Sequence, residues 1–273
     1  MNSKILDPNF DYASSTIIKP PQNNPVEFRQ TIVIIDSRDR DITKYPSPNN
    51  YYIELNQEIE EVITGEVILM DVPLCNYIIN EFNNSFIIKY NDILQNVEIP
   101  IGNYNGTELA FLLKNTLSPL TDNGLDVLYS SNLNKLIFNN TVFQFVNVPI
   151  PVALLLGLDP NSTETNAPLT LPNMLNLNVN NYIILSIDMF SINASSNTVI
   201  DRTTALVHKQ DSLITYRGLL KNIKKKFNPI IGRLTRLHIS FTDYYGNPYN
   251  FRNIDHRIEI MFESRKHLNR YMH

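Results

Sequence analysis

The chain has 273 residues, of which 43% are hydrophobic and only 18% charged, and its formal net charge is −4. That length supports one large β domain or two smaller ones with a substantial core, and the charge excludes a dedicated nucleic-acid binder, whose footprint would be basic. A single cysteine, Cys75, excludes an internal disulfide framework and suits a reducing site of assembly.

Residues 1–29 hold Pro8, Pro20, Pro21 and Pro25 with few large apolar residues, and read as an extended N-terminal arm. MNSKILDPNF has no apolar core of signal-peptide length, and no stretch approaches 18 apolar residues. Neither secretion by that route nor a membrane span is therefore expected.

The β-branched run Thr31–Ile35 predicts a strand that stops at the charged loop Asp36-Ser37-Arg38-Asp39-Arg40. Tyr45-Pro46-Ser47-Pro48-Asn49-Asn50 is turn chemistry, because each proline fixes φ and restricts its predecessor. A second strand follows at 50–56 and a third at 62–73. A strand ending in DSRDR, a YPSPNNY turn and a strand closing on Leu55 resemble the opening of small jelly-roll capsid proteins of giant double-stranded DNA viruses, which include penton and minor capsid subunits. The same residues also fit a polar loop in any β-sandwich.

The middle of the chain changes character. Strands are predicted at 85–90 and 95–100, and the only convincing helix follows. Leu109, Leu112, Leu113, Thr116 and Leu117 share one face at a 3.6-residue period, Asn105 or Thr107 can cap it, and Glu108 suits its first turn. Residues 126–130 and 135–139 predict a hairpin, 141–146 another strand, and Leu154-Leu155-Leu156-Gly157-Leu158-Asp159-Pro160 a short apolar turn. IPIGNY, a leucine-faced helix, a hairpin and LLGLD in that order resemble an α+β insertion of the same capsid proteins, spanning 84–175 here. A generic helix packed on a sheet is the alternative.

Strand patterns resume at 181–190, 204–209, 212–216, 233–242 and 257–263, the last two with clear alternation. FNPIIGRLTRLHISFTDYYGNPYNF and DHRIEI carry a third resemblance to the viral family. The expected fold is mainly β: an eight-stranded antiparallel jelly-roll sandwich formed by 30–83 and 176–273, with a small α+β domain inserted at 84–175.

A search for chemistry finds little. No HExxH, GxSxG, GxGxxG or P-loop pattern occurs, and Cys75 sits in an apolar segment as a buried small hydrophobe would. No metal, cofactor or catalytic set is expected. Asp36, Asp39 and Asp41 alternate with Arg38 and Arg40, which would oppose a bound cation, so Arg/Asp pairs bracing the loop or reaching a neighbouring subunit are preferred. Lys221, Lys224, Lys225 and Lys226 form the only basic cluster. It reads first as a solvated loop, with acidic capsid surface or the anionic head groups of an internal membrane as alternative contacts. The candidate interaction residues are therefore Asp36, Arg38, Asp39, Arg40, Lys221, Lys224, Lys225 and Lys226.

The resemblance implies a non-enzymatic capsid protein in the virion of a large icosahedral virus, assembled in the host cytoplasm. Its expected partners are four further copies in a pentamer at the vertex, and major and minor capsid proteins. A minor or cement protein linking capsomers is an alternative. From another class, a glycan-binding β-sandwich module for host attachment would use Tyr244, Tyr245 and Tyr249.

Overall fold

A computed structural model describes residues 27–73, 75–162, 164–178, 182–190, 196–201, 203–208, 213–217 and 224–265. The predicted arm therefore lies outside the described residues except at 27–29, and so does Lys221. In chain order the elements are β1 (Phe28–Asp36), β2 (Asn50–Pro73), β3 (Ser85–Tyr90), β4 (Ile93–Glu98), α1 (Gly106–Leu117), β5 (Asp126–Ser130), β6 (Lys135–Asn139), β7 (Gln144–Val146), α2 (Ile150–Leu156), β8 (Glu164–Asn166), β9 (Leu169–Thr170), β10 (Tyr182–Ile187), α3 (Thr198–Asp201), β11 (Ala205–His208), β12 (Leu213–Arg217), β13 (Lys225–Thr242) and β14 (Arg257–Arg265). The chain is mainly β, and its paired strands run antiparallel.

One sheet of seven strands is ordered β1-β14-β2-β13-β10-β11, with β12 also on β2. Its organiser is β2, where two strands were expected and one strand of 24 residues occurs. The polar run Asn56–Glu61 does not end the strand, because β13 pairs with it at Ile59 and Glu60 and resumes at Glu54 across a register shift. Near Glu61, whose φ is 48°, β2 gains a second partner: β13 pairs along it from Asn50 to Gly65, and β14 joins its other side from Val62 to Asp71. Irregularities in both ladders fall at the same place, and bulges of this kind sharpen twist and bend a strand. Residues of β1 and β14 share one core with residues of β13 and β10. Ile35, Tyr51, Met70, Leu185, Ile239, Phe241, Ile260 and Phe262 belong to it.

Residues between β2 and β10 build a second core. A four-stranded sheet ordered β4-β3-β7-β8 and a three-stranded sheet ordered β5-β6-β9 enclose Phe86, Phe138, Phe143 and Phe145, whose rings meet 5.1–5.9 Å apart. The leucine face of α1 is buried there through Leu109, Leu113 and Leu117. A capping box starts the helix: Asn105 accepts from the Glu108 amide, and the Glu108 carboxylate accepts from the Asn105 amide. The expected apolar turn at 154–160 is instead the end of α2. Proline in a first helical turn removes no intrahelical bond, so Pro151 is compatible with the helix. Gly157, at φ +90°, terminates it, and its amide donates to Ala153 O.

Candidate interaction surface

The charged loop after β1 forms a local turn. Asp36 caps a short 3₁₀ turn at Ser37–Asp39, accepting from the Arg38 amide at 3.0 Å and from Arg38 Nε at 2.9 Å. The Arg38 hydrogen bond, opposed by partial burial, lowers the Asp36 pKa. Arg40 is 9% exposed and points inward: Nε donates to Tyr45 O at 3.0 Å, Nη2 to Pro46 O at 3.2 Å, and Nη1 to Asp255 at 3.0 Å. It pins the YPSP turn to the segment before β14. Arg40 thus braces the turn from inside. Asp41 is exposed and accepts from Thr43 and Lys44, whose hydrogen bonds lower its pKa. Asp39 is exposed and unbraced by any ion pair among the described residues.

The lysines sit elsewhere. Lys224 pairs with Glu263 at 2.5 Å, and that carboxylate also accepts from Gln30 and Thr64. These donors, Lys224 first, lower the Glu263 pKa. Lys225 and Lys226 begin β13 opposite Gly65 and Thr64. Asp36 lies opposite Arg257 and Gln30 opposite Glu263, so six residues of β14, about 20 Å, separate the loop from the lysines. The structure does not bring the two charged groups together.

Between them lies what sequence reasoning missed, a cleft of about 1060 Å³ bordered by β1 and the first half of β2. Its lining includes Val33, Tyr45, Ile53 and Leu55, half-buried against the main core, and the carboxylates Asp39, Glu54 and Glu60. The available signal was a polar run, Asn56–Glu61, inside a stretch of strand-forming residues. On the other face of β1, Phe28, Ile32 and Ile34 are 61%, 55% and 62% exposed.

Behind the loop, His256 is almost fully buried against Phe241 and Phe251. Its Nε2 lies 2.9 Å from Pro48 O, while Nδ1 has no partner. Burial lowers its pKa to about 4. Among the described residues, no three His, Cys, Asp or Glu side chains are placed to hold a metal, and no helix is long and apolar enough to cross a membrane. Tyr244 and Tyr245 are partly exposed and meet edge to face. Tyr249 is buried, with its hydroxyl accepting from the Cys75 and Asn76 amides, which removes it from a glycan platform.

A family model described as a family of unknown function, DUF5901, matches residues 23–216. The chain belongs to that family. The match covers β1 to β12 and so includes the charged loop, the first core's bent strand and the whole second core. No curated protein matches the sequence. Among solved structures, the selenomethionine-labelled mavirus penton protein is similar at 12% identity and a TM-score of 0.44, over 87% of this chain and 100% of that one. A chain of the Sputnik virophage, solved by cryo-EM, is similar at 12% identity and a TM-score of 0.44, over 88% and 98%. Neither likeness fixes a function by itself.

Proposed function

We propose that this chain is a structural capsid protein in which a jelly-roll body, 30–83 with 176–273, carries an outward unit at 84–175. The observation that carries this reading is the pairing of a separately cored insertion with a strand body whose edges, among the described residues, stay open at β1 and at the start of β2. A rigid body of this kind offers side surfaces to symmetric neighbours. The three sequence stretches resembling the viral family support it, because they fall in both units: two in the strand body and one at the start of the insertion's helix. DSRDR makes the turn after β1, IPIGNY leads into α1, and RLTRLHISF lies in β13.

Within this reading the chain is a penton subunit, whose five copies close a ring through heterologous interfaces. Its other partners are major and minor capsid proteins, and its location is the virion. Asp39, Asp41, Lys224 and Lys226, exposed at the two ends of β14, would set register at modest affinity. Cryo-EM of purified particles tests the proposal. Density for this chain around each five-fold axis is the expected result; its absence from particles by mass spectrometry rejects the capsid role, and density only between capsomers rejects the penton assignment.

A further inference from the structure

The cleft beside β1 lies between two strand edges. Among the described residues, β1 pairs only with β14, and residues 50–54, 59 and 60 of β2 pair only with β13, whereas β2 is paired on both sides from Val62 to Gly65. Both faces of the β2 segment Tyr52–Glu60 line the cleft, as do Arg29, Thr31 and Val33 with the outward-facing Ile34, so the cleft wraps around both edges. Tyr52–Glu60 lies along five residue steps of β13, from His238 to Arg233, so the β2 edge spans about 17 Å, the length of an ordinary strand.

Two observations define the occupant. First, open strand edges in soluble proteins are commonly blunted by charge or proline. Residues Thr31–Ile35 carry neither, and Ile32 and Ile34 are exposed. A row of backbone donors and acceptors beside an apolar floor of Val33, Ile53 and Leu55 fits a polypeptide strand. Second, the lining holds five carboxylates (Asp39, Asp41, Glu54, Glu58, Glu60) against three cations (Arg29, Lys44, Arg265). Lys44 pairs with Asp41 and Arg233 with Glu58, while Glu54 and Glu60 on the β2 wall form no ion pair among the described residues. We infer that the cleft accepts an extended segment of a partner protein, apolar on its inward face and rich in Lys or Arg on its outward face. It would add as a strand between β1 and β2. The inference stands on the cleft alone and does not require the capsid reading.

The test uses the full chain and fluorescent nine-residue peptides followed by anisotropy. An alternating valine–lysine peptide should bind, its valine–glutamate counterpart should bind at least tenfold more weakly, and a central proline should abolish binding. Glu54→Gln with Glu60→Gln should weaken the lysine peptide about tenfold, as loss of two opposite-charge cross-strand pairs would. Both side chains are exposed, and the isosteric change keeps the fold testable where Glu54→Lys would not. Equal binding of the lysine and glutamate peptides overturns the inference, as does indifference to the two substitutions. So does failure of the full chain to bind, whether its own residues 266–273 or a second copy fills the cleft; sedimentation of the same sample identifies the second case.

Discussion

The two cores of this protein are nearly equal in size, with 22 and 23 buried apolar residues among those described, yet they are built by opposite strategies. The second core draws its buried residues from 79–175, through hairpins, short helices and a capping box, so its parts are close in sequence. The first joins β1 to β14 across more than 200 residues and, among the described residues, leaves strand edges unpaired at β1 and at residues 50–60 of β2. Local closure gives a unit that is complete by itself. Long-range closure leaves an unfinished face, and that face is where the exposed isoleucines and the cleft occur.

The sharpest way to break this comparison is to damage one core and watch the other. Phe138 packs edge to face on Phe143 and Phe145 and is fully buried. Phe138→Ala should cost about 4 kcal/mol and melt the second core first, giving two calorimetric transitions. A single transition shifted as a whole would show that the cores unfold as one.

Acid should act on the first core. His256 has its folded pKa lowered to about 4 from an ordinary value of 6.5, so the native state refuses a proton that the unfolded chain accepts. Stability from this group is present above pH 6.5, is lost as pH falls, and levels off below about 4. The expected loss is about 3 kcal/mol over that window, read from urea melts at several pH values. His256→Gln should flatten the slope there.

A smaller effect is expected at Gly65, where a Cβ would meet the Phe190 ring at 2.3 Å. Gly65→Ala should cost about 2 kcal/mol through overpacking and lower the midpoint of the first core alone. The smallest lies in the second core: Asn105→Ala removes the α1 cap and should cost about 1 kcal/mol, seen as faster amide exchange in the first turn of α1.

What could be read from the sequence follows the same division. The hairpin at 126–130 and 135–139 and the leucine face of α1 depend on spacing within a few residues, and both occur at those positions. At 154–160 the sequence reads as a turn, with Gly157 and Pro160 as turn residues, although Pro151 and Gly157 also suit the start and stop of α2. In the first core, β2 was read as two strands, since nothing local shows that β13 spans its polar run. The brace role of Arg40 depends on Asp255, 215 residues away, and the cleft depends on pairing between the chain's two ends. Asp36 with Arg38 was legible as a pair because the two are neighbours.

Hydrogen exchange on the chain, alone and within purified particles, tests most directly whether the open edges are the assembly face. The account predicts that amides on the free edges of β1 and of residues 52–60 exchange fast in the isolated chain and slow on assembly. Those of α1, β5 and β6 should be equally protected in both. Unchanged exchange at β1 and β2, or new protection confined to the second core, would contradict it.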